Sequence, residues 1–167
     1  MSTTQTRQNN AWLRTLGIAF ALLGLGVAVY MGWAEVTGNA TACPGHSGDG
    51  ALAAPGSIVI DCGFVQKSVY AHIFGIPVAL LGVAGYLGIL GIWVLEDRIA
   101  ILREYASMLV FGMALFGFLF SLYLTYTELF IMYTICTWCV ASAVLMTLIF
   151  IVATVRLVQH LKQPLPV

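Results

Sequence analysis

Residues 105–155 read YASMLVFGMALFGFLFSLYLTYTELFIMYTICTWCVASAVLMTLIFIVATV, and Glu128 is the only formal charge among them. A helix crosses the roughly 30 Å hydrocarbon core of a bilayer with about 20 residues. This stretch is too long for one crossing and suits two. A charged side chain at mid-bilayer costs about 2.5–3.5 kcal/mol on insertion scales. The sequence therefore predicts two helices, with Glu128 at a tight, solvated turn in the interface between them. Proton relay is the alternative role for that carboxylate. No Gly or Pro marks the turn.

Working outward, two more uncharged stretches run from Thr15 to Ala34 and from Ser68 to Leu95. Of the 167 residues, 60% are hydrophobic and 8% charged, with seven Lys+Arg against seven Asp+Glu. Soluble domains carry about 25% charge, and nucleic-acid binders need a basic patch; both classes are excluded. Backbone groups in lipid must be satisfied within the segment. The apolar runs are continuous rather than alternating, which argues against a transmembrane barrel. The expectation is an all-α polytopic membrane protein, a four-transmembrane-helix bundle forming a single membrane domain over 1–167. The helices fall at about 13–34, 73–95, 105–127 and 131–155, with a long outer loop over 35–72.

Basic residues orient the spans. Arg7 and Arg14 precede the first, Arg98 and Arg103 separate the second and third, and Arg156 and Lys162 follow the fourth. Only Lys67 lies on the other side. The positive-inside rule then puts both termini in the cytoplasm, and the outer loop on the periplasmic or extracellular side of a plasma or inner membrane. The first apolar stretch exceeds the 7–15 residues of a signal peptide, so Ala40-Thr41-Ala42 is read as loop and not as a cleavage site.

The outer loop is rich in Gly and Pro, which signals turns and irregular backbone. Ser57 to Ile60 reads as a short extended piece. From Gly63 the pattern suggests an interfacial half-helix leading into the second span. The loop carries Cys43 and Cys62; the other two cysteines form Cys136-Thr-Trp-Cys139 near the outer end of the fourth helix. All four are thus expected at one membrane face, open to an oxidising compartment. Positions i and i+3 share a helix face, and a helix N-terminus favours the thiolate, the attacking species in disulfide exchange. Two static disulfides are the bland alternative, and they would suit a non-enzymatic membrane subunit. A Cys136–Cys139 bridge closes almost no loop and stabilises little, so redox chemistry is the preferred reading. No second close ligand pair supports zinc. A membrane dithiol without a nucleotide fingerprint calls for a lipid-soluble acceptor. A quinone entering beside Cys139 fits, with Phe74, Phe116, Phe120, Tyr123, Tyr126, Met132 and Trp138 as available walls. Gly82, Gly85, Gly88, Gly112 and Gly117 read as close helix contacts.

Three stretches together resemble the vitamin K epoxide reductase family, and its bacterial branch in particular: Cys62-Gly-Phe-Val-Gln-Lys-Ser68-Val-Tyr-Ala, Phe74-Gly-Ile-Pro77-Val-Ala-Leu-Leu-Gly82 and Cys136-Thr-Trp-Cys139. The resemblance covers about residues 12 to 155. It implies a four-helix bundle around a quinone of the menaquinone, ubiquinone or vitamin K type. It further implies that Cys43 exchanges with a separate thioredoxin-like periplasmic protein, that Cys62 carries electrons to Cys136, and that Cys139 faces the quinone. Ser68 would help shape the quinone site, with Phe74 and Trp138 beside it. Vertebrate members place a tyrosine where this chain has Ala143 and an asparagine where Ala71 and His72 stand. Quinone reduction is therefore expected ahead of epoxide reduction in the strict sense. An unrelated four-helix, four-cysteine family, the bacterial disulfide bond formation protein B type, carries its close cysteine pair first. Here the order is reversed.

Overall fold

The computed structural model describes residues 3–39, 41–47, 57–73 and 75–162. In chain order the elements are α1 (Thr3–Thr37), β1 (Val59–Ile60), α2 (Cys62–Lys67), a 3-10 turn (Val69–Ala71), β2 (His72–Ile73), β3 (Ile76–Pro77), α3 (Val78–Leu95), α4 (Ala100–Phe130), β4 (Thr134–Ile135) and α5 (Thr137–Leu161). Among the described residues, four helices carry apolar stretches long enough to span a bilayer: Ala11–Thr37, Val78–Leu95, Tyr105–Phe130 and Thr137–Leu161. The all-α, four-span architecture read from composition is the one observed. The helices close a ring, α1 against α3 and α5, and α4 against α3 and α5.

The ring is held by small residues. Gly17, Ala21, Gly24 and Ala28 form one stripe on α1, and each is buried. A side chain at Gly17 would collide with the ring of Trp93, and one at Gly24 with the ring of Tyr86. Lipid is as apolar as leucine, so helices in a bilayer associate through close packing, and glycine lets a large neighbour approach the backbone. Gly88 receives Met113 in the same way, and Gly117 receives Met146. Gly85 and Gly112 depart from the expected close contacts: a Cβ at either would meet nothing within 4 Å. At the end away from the cysteines, Arg14 pairs with Asp97 at 2.7 Å and Arg156 with Glu96 at 2.8 Å. These pairs tie α1 and α5 to the turn between α3 and α4.

Helix ends at the cysteine side differ from the sequence reading. The second span begins at Val78, not near residue 73. Gly75 adopts φ 81°, and His72–Ile73 pairs antiparallel with Ile76–Pro77. Pro77, which lacks an N–H, then stands as the N-cap of α3. The expected half-helix exists only as the six-residue α2, whose first turn is capped by Asp61 accepting the Phe64 N–H at 3.1 Å. Glu128 is not at a tight turn. With no breaker residue to stop it, α4 runs through Glu128 to Phe130. The reversal comes later, where Tyr133 adopts φ 50°, and α5 starts at Thr137 instead of near 131. Glu128 is consequently buried, at 4% exposure, and not solvated.

Candidate functional site

The chain between α1 and α3 reaches the start of α5 through a short parallel pairing. Val59 lies opposite Thr134 and Ile60 opposite Ile135. The Val59 N–H donates to the Tyr133 carbonyl at 3.0 Å, and the Asp61 N–H to that of Ile135 at 3.2 Å. Each strand leads to a cysteine at the head of a helix. Cys62 opens α2 and Cys136 caps α5. Both are fully buried, packed in one cluster with Met31 and Val65, and Cys43, Met132, Trp138 and Cys139 pack against it. The expectation that all four cysteines gather at one end of the bundle holds in the fold.

Cys43 and Cys62 are joined as a disulfide, while Cys136 and Cys139 are free thiols. The two residues between the thiols hold the segment that carries Cys43. The Thr137 hydroxyl donates to the Pro44 carbonyl at 2.9 Å and lies 3.9 Å from the Cys43 sulfur. The Trp138 indole N–H donates to the Ala42 carbonyl at 2.8 Å. The Trp138 ring lies 5.2 Å from that of Tyr30, whose hydroxyl accepts the Ala42 N–H. Further along, the Thr41 hydroxyl donates to buried Gln66 at 2.8 Å. Loop and helix are thereby docked, with all four cysteines in or against one buried cluster. Sequence reading missed Thr137, Thr41 and Gln66. Gln66, a lone amide before an apolar span, was the available signal.

The Cys136 sulfur accepts the Cys139 N–H at 3.3 Å, an N-cap bond made by a thiol. The Cys136 N–H donates to Glu128 Oε2 at 3.2 Å. The carboxyl of Glu128 and the Cys139 side chain line the same cavity. No formal breaker separates α4 from β4, so the bond from the Cys136 N–H to Glu128 joins the end of one helix to the beginning of the next.

Cys139 lines a cavity of about 650 Å³ between the four helices and the α2 segment. Ligand pockets run to about 300–1,000 Å³ and are largely apolar with a few converging polar groups. This one has that character. Its apolar walls include Phe116, Phe120 and Met132 as expected, together with Met31, Val65 and Met146. Gly85 and Gly112 line it as well, which is why nothing packs against them. Polar groups come from Ser68, Gln66, Tyr86, Glu35 and Glu128. The Tyr86 hydroxyl is engaged by Ser142 at 3.0 Å. The Ser68 hydroxyl donates to the Val65 carbonyl at 2.7 Å, so it shapes the cavity by ending α2. Glu35 lies 3.2 Å from His72 Nε2, pairing the last turn of α1 with the more exposed β2.

Other expected walls fall elsewhere. Trp138 is not among the lining residues, because its ring is committed to the Cys43 segment. Tyr123 and Tyr126 face outward from α4. Phe74 lies outside the described residues.

A disulfide between half-buried Cys43 and buried Cys62 shares one cluster with a thiol pair, and one of the thiols lines an apolar cavity of ligand size. The family model described as "Vitamin K epoxide reductase family" matches residues 15–154, from within α1 to within α5. Fold, sulfur arrangement and family match agree: this chain is an integral membrane oxidoreductase and belongs to the vitamin K epoxide reductase family.

Proposed function

We propose that this chain is a quinone-dependent thiol oxidase that supports disulfide formation outside the cytoplasm, with both termini inside and the cysteines on the periplasmic or extracellular face. The observation that carries the reading is the contact order of the sulfurs: a bonded loop pair packed on a free helix pair, with Cys139 at the cavity. A thioredoxin-like partner attacks Cys43, breaking the Cys43–Cys62 bond and leaving Cys62 as thiolate. The partner's second thiol then closes its own disulfide and frees Cys43. Cys62 attacks Cys136 of an oxidised Cys136–Cys139 pair, and Cys139 leaves as thiolate. Cys43 closes on Cys62, which restores the outer disulfide and leaves the inner pair reduced, the arrangement described above. When bound, a quinone supplies the two-electron, two-proton sink for that dithiol.

The residues present fit such a ligand. Met31, Val65, Phe116, Phe120 and Met146 would bind and shield a ring system. Ala143 lines the cavity with a methyl group where epoxide-reducing relatives offer a phenol, which favours quinone over epoxide as substrate. The proposed test is turnover by the full chain with dithiothreitol or a thioredoxin-like protein as donor and menaquinone or ubiquinone analogues as acceptor. Cys43→Ala is expected to keep turnover with dithiothreitol and to lose it with the protein donor. Retention of both activities would rule out Cys43 as the point of exchange.

A further inference from the structure

Glu128 is a buried carboxyl that the electron path leaves without a task. It lines the cavity together with Cys139 and accepts the N–H of Cys136, whose sulfur in turn accepts the Cys139 N–H. Among the described residues that line the cavity there is no Lys, Arg or His. The titratable groups facing it are Glu35 from α1, Tyr70 from the 3-10 turn, Tyr86 from α3 and Cys139 from α5, with Cys136 at the N-cap. A glutamine would satisfy the Cys136 N–H equally well, without the cost of burying an ionisable group that has no cation beside it. What the carboxyl adds over an amide is the ability to take and give a proton.

We propose that Glu128 is the general base and acid of the quinone step, removing the proton of the Cys139 thiol and delivering it to a quinone oxygen in the cavity. The inference rests on the reading of Cys139 as the sulfur that reduces quinone. Atoms and electrons balance. Two S–H bonds break, one S–S bond forms between Cys136 and Cys139, two electrons pass from the sulfurs to the quinone, and two O–H bonds form. Glu128 moves the Cys139 proton first. Ionised again, it takes the Cys136 proton as that sulfur closes on Cys139, and delivers it too.

The test uses the full chain in lipid nanodiscs with dithiothreitol as donor and menadione as acceptor, followed by absorbance from about pH 5 to about pH 9. The wild-type rate is expected to rise with pH through one ionisation and then level off. Glu128→Gln is expected to lower the rate at neutral pH about 100-fold and to remove the plateau, so that the rate climbs throughout with thiol ionisation. Exchange of dithiothreitol with the Cys43–Cys62 disulfide, read by alkylation and mass spectrometry without menadione, is expected to keep its wild-type rate. A Glu128→Gln protein with wild-type rate and profile overturns the proposal. Should that variant misfold, the wild-type profile decides, since a rate flat across the whole range overturns it equally. A wild-type protein with reduced Cys136 and Cys139 that leaves menadione untouched sinks the quinone reading itself, before any variant is made.

Discussion

The two halves of this bundle are built from the same four helices and differ in what fills them. Away from the cysteines, Trp93, Ile149 and Ala153 are buried together, and Trp93 lies against the bare backbone of Gly17. Toward the cysteines the helices leave about 650 Å³ of space between them, and Gly85 and Gly112 there have nothing against them. The same residue type therefore does opposite jobs. Opposite a large side chain, glycine brings two helices together; opposite none, it leaves room for a ligand. The packed half sets the geometry, and the hollow half uses it.

The sharpest way to break this contrast is at the sulfur that faces the hollow. Cys139→Ala is expected to reduce quinone turnover to background while the four-helix fold persists by circular dichroism. Full quinone reductase activity in that variant would show that electrons leave by another route. In the packed half, Trp93→Ala is expected to cost about 3 kcal/mol in unfolding free energy. Lipid offers little gain for exposing the ring, so the cost is mostly the void left behind. A loss below about 1 kcal/mol would mean that α1 collapses onto the space and that the two halves are not so distinct.

A reciprocal change sharpens the comparison further. Gly85→Leu places a side chain into open space and is expected to raise the KM for menadione about tenfold, with a stability change within about 0.5 kcal/mol. Equal damage to stability and KM would count against a pocket at that position. The smallest expected effect is at the clamp on the loop. Thr137→Val removes the hydroxyl that donates to the Pro44 carbonyl and is expected to cost about 1 kcal/mol. It should appear as faster alkylation of Cys43 after reduction, with quinone turnover from dithiothreitol little changed.

Much of this was legible in the sequence. Four uncharged stretches of helical length dictate four spans, because a bilayer leaves the backbone no other partner than itself. Cys136-Thr-Trp-Cys139 announced its chemistry, since a bridge within one helix turn has little structural value. The failures share one cause. The sequence places Glu128 at a solvated turn because an isolated carboxylate is costly in lipid, whereas in the fold the Cys136 N–H arrives from the head of the next helix to meet it. Trp138 read as a quinone wall because its neighbour in sequence is Cys139. Its indole N–H instead found a carbonyl far away in the chain, at Ala42.

Composition and period by themselves determined how many times this chain crosses a membrane and which four sulfurs lie at one end. Both are local properties, decided by what each segment can satisfy on its own. Which sulfurs are bonded, where the cavity opens and which carboxyl borders it were decided only by tertiary structure. These depend on backbone and side-chain groups from separate helices arriving within a few ångströms of one another, and no single segment encodes that meeting.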